Sequence, residues 1–218
     1  MSPEDRPGDR SGDRLDARSG AWFDAVLFDM DGTLVDTEGL WWSAVDAVAG
    51  ALGRPLTPGD EPFVHGRTIE DTAAHLAPKG SAASLARRLT EEFTRRIDEG
   101  VRVLPGARSL LAQLATAGIP TALVSASPRS VVERILPLLE GHRFATVVAD
   151  GDTPRGKPYP DPYLEAARRL GVAPSRCLAV EDSPAGVTAA RAAGCRVVTV
   201  EPASGLPSLR DLMRLPSD

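Results

Sequence analysis

Between Val101 and Val200 short apolar runs alternate with stretches of helical spacing, and this alternation restricts the fold more than any other feature of the chain. A strand followed by a helix before the next strand begins runs parallel to its predecessor, so the pattern predicts a parallel sheet with helices on both faces, an α/β, Rossmann-like architecture. Thr121 to Val124, Thr146 to Ala149, Cys177 to Val180 and Arg196 to Val200 are the strands. Local stereochemistry agrees with these boundaries. Ser127 with Pro128, Asp161 with Pro162 and Ser183 with Pro184 supply a capping or acidic side chain and a proline at predicted helix starts, and Gly171 and Gly194 supply helix ends.

One more strand, Ala25 to Phe28, stands well upstream, and helices fill the interval. Leu40, Trp41, Ala44, Val45, Val48 and Leu52 recur at helical spacing up to Gly53. A second helix is predicted over Thr68 to Ala77, and a third carries Leu85, Leu89, Phe93 and Ile97 inward, with Glu91–Arg95 and Glu92–Arg96 pairs outward. An all-helical block that interrupts an α/β pattern reads as an inserted domain. The expected division is a core of residues 21–36 and 101–218, a helical cap of residues 37–100, and a disordered tail of residues 1–20 with too few apolar side chains to offset the entropy of ordering.

Composition removes several function classes. A formal charge of −5, with Lys and Arg spread along the chain, opposes nucleic-acid binding and leaves room only for a local positive pocket. No apolar run has membrane-spanning length and the first residues carry acids, so no membrane partner and a cytoplasmic location are expected. Cys177 and Cys195, the only cysteines, lack neighbours at metal-ligand spacing and read as reduced core residues. The expected assembly is a monomer or weak homodimer.

The chemistry is concentrated where predicted strands end, the edge at which open parallel sheets bind ligands. Ala25 to Phe28 runs into Asp29-Met30-Asp31-Gly32-Thr33-Leu34-Val35-Asp36. Residues i and i+2 of an extended chain point to one side, so Asp29 and Asp31 can converge, while Gly32 frees the backbone to turn. Two close carboxylates repel unless a cation or a shared proton relieves them, and magnesium prefers oxygen ligands and substrate phosphate. The other strand ends offer Val124-Ser125-Ala126-Ser127, Gly156-Lys157-Pro158 and Val180-Glu181-Asp182-Ser183-Pro184-Ala185-Gly186. Each alone has an ordinary reading: an Asp-rich turn, a strand-end serine, a solvated lysine, acids complementing a helix N-terminus. Together they amount to carboxylates, a hydroxyl with backbone donors and a lysine on one rim, an inventory for handling a phosphate beside magnesium.

With these four motifs in this order, about residues 23 to 205 resemble the haloacid dehalogenase superfamily. The closest resemblance is to its magnesium-dependent phosphatases with a small helical cap, the branch containing β-phosphoglucomutase and small sugar-phosphate phosphatases. The resemblance implies that Asp29 is the nucleophile and Asp31 the general acid and base. It further implies that Asp29, Asp31, Asp182 and Glu181 surround Mg2+, and that Ser125, Ala126 and Lys157 bind the phosphate. Thr33 and Asp36 read as structural supports of the nucleophile loop. The expected activity is hydrolysis of a small phosphorylated metabolite, a sugar or polyol phosphate, through an aspartyl phosphate.

Specificity is expected from the cap, where His65, Gly66, Arg67 and Thr68 look like a substrate-facing loop and Thr68 also suits a helix N-cap with Asp71 as partner acid. Trp41 and Trp42 read as packing residues, Trp41 being the nearer to the nucleophile loop. The main alternative is a phosphosugar mutase, but Trp41 stands where β-phosphoglucomutase has histidine, and Pro128-Arg129 replaces Lys-Asn. A dehalogenase would need neither the second aspartate nor a metal, and a ligand-binding relic would not keep every catalytic position.

Overall fold

The computed structural model describes residues 21–78 and 80–215, so the expectation for the tail of residues 1–20 lies outside the described residues. Strand β1 (Ala25–Phe28) is the first element among the described residues, and β2 (Val35–Asp36) follows the loop of residues 29–34. Four helices come next: α1 (Glu38–Ala51), α2 (Glu61–Val64), α3 (Ile69–Leu76) and α4 (Ala82–Glu99). Strand β3 (Arg102–Val103), α5 (Ala107–Ala117), β4 (Thr121–Pro128), α6 (Arg129–Ile135) and β5 (Thr146–Asp150) form the next run. The chain continues through α7 (Asp161–Leu170), β6 (Cys177–Glu181), α8 (Pro184–Ala192), β7 (Arg196–Thr199) and α9 (Leu209–Met213).

Five strands form one parallel sheet in the order β5-β4-β1-β6-β7. From β1 the chain builds outward through β4 and β5, then returns to the other side of β1 for β6 and β7. The order reverses at β1, and the crevice of a doubly wound sheet opens at the carboxyl ends of the strands around such a point. Alternate residues face opposite layers, as the two-residue period of a strand requires. Val26, Phe28, Leu123, Leu178 and Val180 join one apolar cluster, while Ala25, Leu27, Ala122, Val124, Cys177 and Ala179 join the other. The second layer is built largely of alanines, which lets α7 and α8 approach the sheet closely.

The helical block rests on Leu85, Leu89, Phe93 and Ile97 of α4, all buried, and its apolar side chains are continuous with the first layer of the sheet. Its two ends are joined by a feature the sequence does not announce. Strands β2 and β3 pair antiparallel, Val35 with Val103 and Asp36 with Arg102, and Arg102 Nη2 donates to Asp36 Oδ2 at 2.6 Å. Two residues per strand are too few to show a period, and only the pairing of distant segments defines them. Asp36 is thus a structural residue at the root of the block.

One predicted helix start moves. Strand β4 continues through Ser127 to Pro128, and α6 begins at Arg129 without a side-chain cap. Ser127 is not an N-cap because its hydroxyl donates to Asp31 Oδ2 at 2.8 Å, across the rim of the sheet.

Candidate active site

The loop after β1 is shaped by its backbone. Leu34 and Val35 donate their N–H groups to the Met30 carbonyl at 2.9 and 3.1 Å, and Gly32 donates to the Val35 carbonyl at 2.9 Å. Gly32 has φ of +81°, and a Cβ there would lie 2.0 Å from Asp182 Oδ2. Glycine therefore serves both the left-handed turn and the close approach of the Asp182 carboxylate to the loop. Thr33 is fully buried and donates to Asp182 Oδ1 at 3.2 Å, so it supports the loop by tying it to Asp182.

Asp29, Glu181 and Asp182 converge, with one oxygen of each lying within 4.8 Å of the others. Lys157 joins them from the loop between β5 and α7. Its Nζ donates to Asp29 Oδ1 at 2.6 Å and to Glu181 Oε1 at 2.5 Å, and its side chain is only 5% exposed. Burial would lower the lysine, but the two carboxylates outweigh it and hold the ammonium above its ordinary range. Asp29 is raised well above the usual carboxylate range by burial, against the pull of Lys157 and with repulsion from Glu181, Asp182 and Asp31 added. Asp182 is pushed up to about 7 by burial, then by Glu181 and Glu38, with Lys157 and Thr33 opposing.

These are the marks of surplus negative charge, and a divalent cation would relieve it. Asp29 Oδ2 is buried without a partner, and Asp182 Oδ2 lies against the glycine turn, so a hard oxygen-seeking ion such as Mg2+ fits between them. Glu181 belongs to this acidic group, and its oxygens also have protein partners. Its Oε1 accepts from Lys157 and from Tyr163 Oη at 2.7 Å, and its Oε2 from the N–H groups of Asp182 and Ser183 and from Ser183 Oγ. It is also a counter-ion of Lys157.

Asp31 stands beside the acidic group of Asp29, Glu181 and Asp182, and its two side-chain oxygens accept from hydroxyls. Thr37 Oγ1 donates to Oδ1 at 2.7 Å, while Ser127 Oγ and Ser125 Oγ donate to Oδ2 at 2.8 and 3.2 Å. Ser125 in turn accepts from the Ser127 N–H at 2.9 Å. Ala126 and Ser127 line the cavity beside Asp29, Asp31, Lys157 and Asp182, and Ser125 of the same strand end is buried with its hydroxyl on Asp31. Thr37 and Ser127 were missed as site residues. An N-terminal helix position and a Ser-Pro pair have sufficient local explanations, and only the fold shows which carboxylate they meet.

From the helical block, Glu38, Trp41, His65, Gly66 and Arg67 reach the same cavity. Trp41 donates its indole N–H to the Val64 carbonyl at 2.8 Å and leans edge-on against Phe93, so it packs and walls the cavity at once. Trp42 stacks on His65 at 5.4 Å between ring centroids, and Glu38 Oε1 lies 4.0 Å from His65 Nδ1. Thr68 lies in a neighbouring cleft instead. Its hydroxyl accepts from the Asp71 N–H as the N-cap of α3, and it shares that cleft with Arg67, Glu70 and Asp150. The two cysteines are buried thiols pushed up by that burial, Cys177 to about 11 and Cys195 to about 12, which suits inert packing residues. No helix among the described residues is long and apolar enough to cross a membrane.

The neighbouring cleft has its own electrostatics. Asp150, at the end of β5, hydrogen-bonds to Glu70 of α3, and burial followed by the charge of Glu70 raises it from 3.8 to about 6. A carboxyl whose folded pKa is raised favours folding while protonated, and that contribution is lost as pH rises from about 4 through about 6. Asp150→Asn should therefore raise the melting temperature at pH 7.5 and leave it unchanged at pH 4. Solvent screening of this partly exposed pair limits the gain to about 1 kcal/mol, or roughly 2–4 °C. An equal gain at both pH values in thermal denaturation would contradict the carboxyl pairing.

The molecule has well-matched relatives. Hexitol phosphatase A of Escherichia coli K12 is 37% identical over 194 residues, covering 85% of this chain and 87% of the relative. A phosphorylated carbohydrates phosphatase of Thermotoga maritima is 34% identical over 176 residues, covering 78% and 82%. The crystal structure of CbbY from Rhodobacter sphaeroides in complex with phosphate superposes with a TM-score of 0.74 at 31% identity, covering 82% of this chain and 86% of that one. Residues 23–194 match the haloacid dehalogenase-like hydrolase family, and with the parallel sheet and these relatives in agreement, the chain belongs to that family of hydrolases.

Proposed function

We propose that the protein is a magnesium-dependent phosphatase acting on a small sugar or polyol phosphate through an aspartyl phosphate. The observation that carries this reading is the buried, unpartnered Oδ2 of Asp29, set beside Lys157 at the carboxyl end of the central strand. An oxygen left without a protein partner suits a bound ligand, and a cation is adjacent. The relatives named for hexitol and carbohydrate phosphates support the substrate class.

In this mechanism the Asp29 carboxylate attacks phosphorus while the bond to the substrate alcohol oxygen breaks, and Asp31 gives its proton to that oxygen. Three hydroxyls hold the Asp31 carboxylate in place for the transfer. Asp31 then takes a proton from water as it attacks the aspartyl phosphate, which releases inorganic phosphate and restores Asp29. Lys157 pairs with a phosphate oxygen throughout, with Ala126 and Ser127 beside it in the cavity. Held by Asp29 and Asp182, magnesium would neutralise charge on the phosphate and fix the line of attack. Residues 37–100 serve as the cap, and His65, Gly66 and Arg67 meet the alcohol half of the substrate. The mutase alternative has less support, because Trp41 spends its only polar atom on Val64.

A panel of phosphomonoesters, assayed with magnesium and with excess chelator, tests the proposal. Hexitol and hexose phosphates should release inorganic phosphate only in the magnesium arm. Hydrolysis that persists in chelator would remove the metal from the scheme. Isomerised sugar phosphate without phosphate release would make the enzyme a mutase.

A further inference from the structure

Tyr163 is the largest side chain in an otherwise small-residue layer, fully buried among Ala122, Val124, Ala166, Ala179 and Cys195. A phenol in such a place needs a hydrogen-bond partner, and any nearby acceptor would satisfy it. The acceptor it has is Glu181 Oε1, at 2.7 Å, the same oxygen that receives Lys157 Nζ at 2.5 Å. The Lys157 ammonium also lies 5.3 Å from the centroid of the Tyr163 ring. Burial, with the charges of Glu181 and Asp29, raises the phenol well above its ordinary range, so it remains a neutral donor. Gly186 completes the arrangement, since a Cβ there would fall 1.7 Å from Oε1.

We infer that Tyr163 is a positioning residue for the phosphate-binding lysine, acting through the shared Glu181 oxygen. A carboxylate oxygen has two principal acceptor directions, and here Tyr163 and Lys157 take one each. Donation from the phenol weakens the hold of Oε1 on Lys157, so that the ammonium remains balanced between Glu181 and Asp29. Without the phenol, Oε1 has Lys157 as its remaining partner and draws the ammonium away from the nucleophile, where the phosphate must bind. The hydroxyl is remote from the cap, so its removal should affect every phosphomonoester by the same factor.

The inference rests on the proposed phosphatase reading, and the test separates the two. Tyr163→Phe removes only the hydroxyl. It is expected to raise the inhibition constant of inorganic phosphate by about 3- to 10-fold, as for the net loss of one ordinary hydrogen bond. The fall in kcat/KM should be equal for an aryl phosphate and a hexitol phosphate. In a double-mutant cycle on inhibition by phosphate, Tyr163→Phe should have little further effect in a Glu181→Gln background. Melting temperatures measured alongside identify any loss that is merely one of folded protein. An unchanged phosphate inhibition constant in a folded Tyr163→Phe variant, or additive effects in the cycle, would overturn the inference while leaving the phosphatase reading intact. A parent enzyme that hydrolyses no phosphomonoester would overturn both.

Discussion

Asp29→Asn is expected to reduce phosphomonoester hydrolysis to background, a loss on the order of 10⁴-fold or more, because it removes the atom proposed to bond to phosphorus. Asp31→Asn should be milder, about 10²- to 10⁴-fold, the usual share of a positioned proton carrier. The two variants also differ in what accumulates. Acid-quenched enzyme analysed by mass spectrometry should show no phosphorylated nucleophile-loop peptide from Asp29→Asn, whereas Asp31→Asn should form and discharge it slowly. A phosphorylated peptide from Asp29→Asn would place the nucleophile elsewhere. Stability should move the other way from activity, since Asn is nearly isosteric and removes a buried charge beside Glu181 and Asp182. The Asp29→Asn variant should therefore melt at or above the parent temperature.

Lys157→Met should cost both activity and stability. Methionine keeps most of the aliphatic stem but leaves the Asp29 and Glu181 carboxylates facing each other in a buried site without their shared cation. Removing one partner of a buried ion pair costs about 3–5 kcal/mol, so melting in the presence of chelator should fall by roughly 10 °C. The same ammonium pairs with phosphate in the proposed mechanism, and hydrolysis should fall by about 10²- to 10³-fold, as for loss of an oxyanion donor. Parental melting and parental turnover together would show that Lys157 is solvated and idle. Lys157→Arg does not preserve the site, because a planar guanidinium has no room where a 5%-exposed ammonium bridges two carboxylates.

The elements of the sheet and the four motif positions were legible because they depend on local information. A four- or five-residue apolar run bounded by glycine, proline and polar residues forms a strand almost wherever it packs, and the strand ends bring Asp29, Lys157, Glu181 and Asp182 to one rim. The same local reasoning identified α1, α3 and α4 and the role of Thr68 as a cap. What remained hidden were choices between segments far apart in sequence. Ser127 beside Pro128 has the local chemistry of a helix start, yet its hydroxyl meets Asp31, 96 residues earlier, and the helix begins without it. Glu181 reads from the sequence as one more acid of the rim, and only the packing shows that Lys157 and Tyr163 share its Oε1. Strands β2 and β3 exist only as each other's partner. By itself the sequence determined the architecture, the placement of the four motifs at one rim and the family, because periodicity, capping and turn chemistry act over a few residues. The tertiary structure alone decided which oxygen faces a free cavity and which is already held, because hydrogen bonds and charge pairs form between whatever atoms the finished packing brings within about 3 Å.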